Sequence, residues 1–451
     1  MCDTSLATEI FTKTSKRIFS KNSDREPNEA QSVIHLPKTE YQKGTSLKTT
    51  FIEIPQALQT HEVLLCKPFQ MWGAEMGVNE YGLTIGNEAV FTKLTKPKKN
   101  DGLTGMDLIR LALERCKTAN EALFLITELL EKYGQDACGG YENDSFFYHN
   151  SFIIADLSEG FVLETADRFW IARKIQKFYA ISNGLTIDSD YEYSSANLED
   201  KTLKLGLHKK GKDFSFRNSF SDSFYTKMSH CHDRRKFHES LAQERSQNKE
   251  TYSVKDAMHV LRSHPIPSEN FHASNSDMSS LCLHATGPIT PNQTNGSLIV
   301  EWNTSANSAD PLRVWYTGTS TPCLSVFKPF FFGTKNLIAE KLLEPEKKAD
   351  TSLWWSHETL ARRSNFDYQA VHSLYLPDAN ALEHQIELSV TDNMNDAKKE
   401  DLQKKALKDH VQLIHKTNEE LKTLSLGKSK WTSPLFQIYW QHQNRKCDVK
   451  L

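Results

Sequence analysis

Runs rich in β-branched and aromatic residues, each bounded by turn formers, recur along the first part of the chain at 47–54, 62–66, 82–90, 150–155, 160–164 and 178–182, and each predicts a strand. Two stretches break the pattern. Over 106–116 and 119–133 apolar residues return every three or four positions, as in helices that lay one face on a sheet. Helical spacing continues over 219–244 and 254–263, the second stopped by His264-Pro265, and strands resume at 296–302 and 312–317. A polar, lysine- and serine-rich stretch at 188–217 reads as an exposed insertion. Beyond about Gly333 the chain turns helical, through 354–370 and then 393–424, where lysines and acids alternate with leucines as on a solvated helix packed by one face. No internal repeat stands out. The pattern predicts an α+β sandwich domain over 2–335 and a helical C-terminal extension over 336–451 that packs on it.

The start of the chain holds the candidate chemistry. Cys2 follows Met1, and loss of that one residue would leave a nucleophilic thiol and a basic α-amine on the same cysteine, both halves of an acyl-transfer machine. Unperturbed, the thiol ionises near about 8.5 and the amine near about 7.7 to 8.0, so neither needs a large shift to act at cellular pH. The run from Cys2 to Thr8 is strand-like, and after a short turn region Lys16 to Arg25 offers a second strand. Paired as a hairpin, they return residues 21–24 to the chain's start and set the Asp24 carboxylate against the free amine. Asp24 also has a plainer reading, as a turn aspartate bonding its own backbone. Asn79-Glu80-Tyr81-Gly82 reads as a tight hairpin turn, which makes Asn79 structural, while Trp72 and Met76 default to the core. Glu75 and Glu88 sit in otherwise apolar runs, so each is either paired with a cation or turned to a cleft. A cleft carboxylate would suit the free amino group of a peptide.

The opening Cys-Asp-Thr, Lys21-Asn22-Ser23-Asp24-Arg25, Trp72-Gly73-Ala74-Glu75-Met76-Gly77, Asn79-Glu80-Tyr81-Gly82, Ile85-Gly86-Asn87-Glu88-Ala89-Val90 and Gly105-Met106-Asp107-Leu108 together resemble the secernins. Tyr148-His149-Asn150-Ser151-Phe152, Ile181-Ser182-Asn183 and Tyr316-Thr317-Gly318-Thr319-Ser320-Thr321-Pro322-Cys323 continue the likeness in order, from Cys2 to about Lys328. Secernins are similar to the cysteine-type dipeptidases and, more distantly, to penicillin V acylases and bile salt hydrolases. The resemblance implies an amino-terminal nucleophile hydrolase fold, a four-layer αββα sandwich of two packed antiparallel sheets, with the nucleophile on the first strand. It implies Cys2 as nucleophile, Asp24 as holder of the α-amine, Asn87 as the side-chain donor of the oxyanion hole, and Asn183 as a contact of the amine and the bound acyl group. It also implies a cysteine-type amidohydrolase or dipeptidase without a cofactor, acting on a small peptide or acyl amide. One position departs from the pattern: Lys21 stands where an arginine is expected, and lysine keeps the charge but loses the planar two-pronged donor. Arg25 could supply the missing guanidinium, and Asp233-Arg234-Arg235 holds the nearest candidate for a further family arginine. Lys21, Arg25 and Glu75 are therefore the candidate substrate-binding residues. The same resemblance allows a second class of answer, a catalytically silent regulator of exocytosis that keeps the hydrolase fold.

Composition narrows the classes further. A formal net charge of -2 over 451 residues, with the signs interspersed, offers no basic face for a nucleic acid, and the Lys-Pro-Lys-Lys stretch at 96–99 reads as a solvated loop. Polar residues punctuate every long apolar run, and no targeting segment is visible, so neither membrane insertion nor secretion is expected and a cytoplasmic location is. Eight scattered cysteines then read as reduced thiols. His230, Cys231, His232 and His238 cluster in the sequence but fit no standard zinc spacing, and no metal site is expected. Nothing in the sequence fixes an oligomeric state.

Overall fold

The computed structural model describes residues 1–94, 97–306, 310–334, 341–423 and 432–451. The expected domain boundary at 335/336, Leu424 at the end of the last predicted helix and Lys96 of the basic stretch lie outside the described residues.

The first strand, Cys2–Ala7, pairs antiparallel with the second, Lys16–Arg25, in a register that sets Cys2 opposite Ser23 and Thr4 opposite Lys21. A short helix, Glu9–Thr12, occupies the turn between them, closed by Lys13 in the left-handed conformation. Around this hairpin grows a six-stranded antiparallel sheet in the order Phe178–Ile181, Cys2–Ala7, Lys16–Arg25, Gln293–Asn303, Leu312–Tyr316, Lys328–Phe330. Eight further strands form the second sheet, running from Tyr193–Ser194 through Phe169–Lys174, Gly160–Ala166, His149–Ala155, Thr84–Val90, Met76–Asn79 and Val63–Pro68 to Gln31–Leu36, again antiparallel throughout.

Period-two alternation explains how the sheets stack. Leu6, Phe19, Leu298 and Val300 of the smaller sheet share one buried cluster with Leu64, Val78, Ile153 and Val162 of the larger. On its outer side the larger sheet meets two helices, Gly105–Arg115 and Ala119–Tyr133, through a second cluster of Ile85, Ile154 and Leu163 with Leu108, Leu111, Leu123 and Ile126. Both helices start at capping boxes, Thr104 with Asp107 and Thr118 with Glu121. The smaller sheet is covered by Cys231–Asn248 and Val254–Leu261. Helices therefore flank two packed antiparallel sheets, the αββα layering expected.

Several predicted elements are divided in the structure. The 47–54 run is not a sheet strand but a small separate hairpin, Ser46–Lys48 with Glu53–Pro55, because a bond from Thr49 N–H to the Ile52 carbonyl turns the chain mid-run. The 219–244 helix is divided among the end of Phe216–Phe220, then Ser223–Met228 and Cys231–Asn248, with breaks at Ser221-Asp222 and where His230 takes a left-handed conformation. The 354–370 helix stops at Ser364, and a second one, Tyr368–Ser389, starts from the Asp367 cap. Part of the insertion at 188–217 is ordered as Tyr193–Ser194 and Leu198–Lys204. Asp396–Thr423 buries Gln403, Ala406, Leu407, His410, Ile414, Thr417 and Leu421, one face as expected, and a further helix spans Pro434–Lys446. Leu360, Val371, Ile386 and Ile414 of the C-terminal helices belong to the same buried cluster as the inter-sheet residues. Among the described residues no helix is long and apolar enough to cross a membrane.

Candidate active site

Two glycines set the geometry around Cys2. At Gly86 a Cβ would lie 2.6 Å from Lys21 Cδ, so the missing side chain makes room for a lysine between the sheets. At Gly105 a Cβ would lie 1.9 Å from Asn150 Oδ1, so the helix start can press against that amide. A third local feature is a bulge. Strand Gln293–Asn303 slips its register between Thr294 and Gly296 where it passes Asp24, and such an irregularity re-aims a side chain. Here the Thr294 hydroxyl donates to Asp24 Oδ1 at 2.6 Å.

Cys2, Asp24, Asn87, Arg25 and Glu75 line one cavity of about 340 Å³. The Cys2 sulfur accepts from the Asp24 backbone N–H at 3.3 Å, and its backbone nitrogen donates to Asn183 Oδ1 at 3.0 Å. Asn183 reaches that nitrogen from behind the cavity and spends its own amide on the Ala89 carbonyl at 2.9 Å. Met1 is in place, and its amino group bonds the Asp24 carbonyl, not the carboxylate. Asp24 Oδ2 is buried without a hydrogen-bond partner among the described residues. Burial pushes this carboxyl up to about 7, against the pull of the nearby amino terminus, while Asp3 adds to the rise. Burial likewise pushes the Cys2 thiol up to about 12, with Lys21 and the amino terminus working against it and Glu88 and Glu75 adding to it.

Asn87 is held by a relay. Its side-chain amide donates to Asn150 Oδ1 at 2.8 Å, and Asn150 donates in turn to Gln135 Oε1 at 2.9 Å. A primary amide has two hydrogens to give, so one remains for the cavity.

The three candidate substrate-binding residues separate. Lys21 is fully buried between the sheets, donating to the Asn87 carbonyl at 2.7 Å and pairing with Glu88 at 3.2 Å, and it is not part of the cavity wall. Burial works against its charge, but Cys2, Glu88 and Glu75 outweigh it and hold its pKa above the ordinary value. Arg25 does face the cavity, clasped by Glu29 at 2.5 and 2.8 Å and by the Gly139 carbonyl at 2.6 Å. Glu75 meets both of its alternatives, lining the cavity while pairing with Arg25 at 3.4 Å and accepting from Ser23. Glu88 is paired and buried, bonded also by Thr4. Asn79 is structural, its Oδ1 accepting from the N–H groups of Tyr81 and Leu83 to close the turn.

Three groups around Cys2 were not singled out in the sequence. Arg234, of the ambiguous Arg234-Arg235 pair, is fully buried and pairs with Asp3 at 3.0 Å, while its far nitrogen donates to Asn183 Oδ1 at 2.5 Å and to Ser182 at 2.7 Å. Thr294 holds Asp24, and nothing in its polar surroundings marks it. Glu26, Glu29 and Glu142 join Glu75 on the cavity wall, where Arg25 is the one basic side chain among the lining residues. His230, Cys231, His232 and His238 do not converge. Among the described residues the one group of His, Cys, Asp or Glu close enough to hold a metal ion is His264, Cys282, His284 and Cys323.

Cys2 opens an internal strand of the smaller sheet, with amide donors and a carboxylate beside it, an arrangement that fits a cysteine-type hydrolase of amide bonds. Residues 10–375 match the family model of peptidase family C69, and the chain belongs to that family. Similar solved structures include a mutant of the conjugated bile acid hydrolase from Clostridium perfringens, at 12% identity over 78% of this chain and 98% of that one with a TM-score of 0.38. Penicillin V acylase from Agrobacterium tumefaciens follows at 11% identity, 73% and 86% coverage and a TM-score of 0.38. The Caenorhabditis elegans ortholog of N-acylethanolamine-hydrolyzing acid amidase matches at 11% identity, 68% and 96% coverage and a TM-score of 0.33.

Proposed function

We infer that the chain is a dipeptidase-like amide hydrolase that works from Cys2 once Met1 is removed. The observation that carries this reading is the convergence of Cys2, Asp24 and Asn87 on one small cavity, with Asn183 at the Cys2 nitrogen. Removal of Met1 turns that nitrogen into an amine. Asn183 Oδ1 already accepts from it, the unmet Asp24 Oδ2 offers a second acceptor, and the amine lowers the cost of ionising a buried carboxyl that the Thr294 hydroxyl alone bonds among the described residues.

The amine takes the thiol proton, directly or through a water, and the thiolate attacks the scissile carbonyl. Asn87 donates to the oxygen of the tetrahedral intermediate. The protonated amine then gives its proton to the leaving nitrogen, a thioester remains on Cys2, and a water deprotonated by the same amine releases the acid. The cavity of about 340 Å³ suits a substrate of dipeptide size, and its four glutamates against one arginine suit a free α-ammonium group. Arg25, already clasped by Glu29, is the cation available to a substrate carboxylate.

A panel of dipeptides and their N-acetylated forms, assayed with wild type and Cys2→Ala together with terminal sequencing of the mature protein, tests this. Turnover of free-amine dipeptides by chains that begin at Cys2, and background rates for the variant, are expected. Equal rates in the two proteins would remove the enzyme reading and leave that of a silent regulator.

A further inference from the structure

Behind the smaller sheet, four side chains from separate segments point at one spot. His264 follows helix Val254–Leu261, Cys282 and His284 flank Leu283 in the loop before strand Gln293–Asn303, and Cys323 lies in the short 3-10 turn Pro322–Leu324. Their ligand atoms all fall within 4.8 Å of one another. The Nε2 atoms of His264 and His284 are 3.2 Å apart, and the same His284 Nε2 lies 3.6 Å from Cys282 Sγ and 3.4 Å from Cys323 Sγ.

Hydrogen bonding does not account for this arrangement. An imidazole nitrogen carries one proton or one lone pair and so serves one hydrogen bond, yet three polar atoms crowd His284 Nε2. A tetrahedral ion accounts for all of them. With zinc-to-nitrogen and zinc-to-sulfur bonds of about 2.0 to 2.1 Å and about 2.3 Å, the edges of a Cys₂His₂ tetrahedron are about 3.4 Å between nitrogens and about 3.6 Å between nitrogen and sulfur. The three distances above match those edges to within a few tenths of an ångström.

We propose that His264, Cys282, His284 and Cys323 form a structural zinc site. Two thiolates and two imidazoles are a donor set that zinc favours, and four protein ligands leave no open position for chemistry. Binding expels one proton from each thiol. The surroundings supply an outer shell: the Tyr368 hydroxyl donates to Cys323 Sγ at 3.6 Å, and Phe271 stacks on the His264 ring at 3.6 Å. A second cavity, of about 370 Å³, reaches His264 and Cys323 and gives the ion a way in.

The site's place in the fold gives it a task. Leu283, held between two ligands, donates its N–H to Thr294 Oγ1 at 3.0 Å, and Thr294 in turn donates to Asp24. On the other side the Thr321 N–H, two residues before Cys323, donates to the Thr294 carbonyl at 2.8 Å. The ion ties both loops that fix Thr294, and so steadies Asp24 from behind.

Metal analysis of the full-length protein, expressed with zinc in the medium and dialysed against metal-free buffer, is expected to find about one zinc per chain. Cys282→Ser with Cys323→Ser, and separately the milder His264→Gln, should reduce it several-fold or more. Cobalt added to the metal-free wild type, which needs no variant to fold, should give the intense visible bands of a tetrahedral ion with a thiolate-to-cobalt band in the near ultraviolet. Zinc at background in the wild type, an octahedral cobalt spectrum, or a Cys282–Cys323 disulfide in the native protein would each overturn the proposal.

Discussion

Among single residues, donors and charges around Cys2 have one partner too few. Asp24 keeps an oxygen buried and unmet while Met1 is attached, and Asn87 keeps an amide hydrogen free because Asn150 takes only one. If Asn87 supplies the oxyanion donor, Asn87→Ala should lower kcat on the order of 100 to 1,000 fold. Steady-state kinetics on the best dipeptide should show KM changing far less. Arg234 acts differently, through other groups: it neutralises Asp3 and fixes the Asn183 oxygen. The grouping of Cys2, Asp24, Asn87 and Asn183, which the structure brings together, was legible because each lies in a distinctive short motif. Arg234 was not, since two adjacent arginines on a helix face different ways and only the packing chooses between them.

Elements carry the next set of consequences. Helix Cys231–Asn248 buries His238 against Phe178, with no hydrogen bond to either ring nitrogen among the described residues. Burial lowers the pKa of this ring from 6.5 to about 4. The unfolded chain therefore binds a proton that the folded chain refuses between those values, and stability is lost as pH falls through that window. His238→Leu should change stability little at pH 7 and raise it by roughly 2 kcal/mol at pH 5, as urea unfolding at the two pH values would read. Strands with clean alternation and helices with capping boxes, such as Ala119–Tyr133, were evident from the pattern alone. Breaks at His230 and Asp367, and the side hairpin at residues 46–55, were not, because single-residue turns and caps outweigh a periodicity that runs through them. The His264, Cys282, His284 and Cys323 cluster had no spacing to find, since three separate stretches of chain supply it.

For the whole molecule, the C-terminal helices belong to the same structure as the site. Helix Leu353–Ser364 buries Glu358, which pairs with Arg362 at 2.8 Å and accepts from Gln293 at 3.1 Å, and Arg362 donates to the Pro27 carbonyl and Asn28 just beyond Arg25. Lys446 of the last helix reaches Glu142 on the cavity wall. Glu358→Ala would strand the Arg362 charge inside the protein and should cost about 3 to 5 kcal/mol, lowering the melting temperature of the entire chain in one transition. A separate transition confined to the helices would show that they stand apart. The thiol beside a freed amine at Cys2 is the proposed attacking group, and peptide mapping after inactivation with a dipeptide chloromethyl ketone bearing a free amino group tests it. One adduct is expected, on a peptide that begins with Cys2 itself, accumulating in step with the loss of activity. Inactivation by alkylation at any other of the eight cysteines, or full activity in chains that still carry Met1, would contradict it.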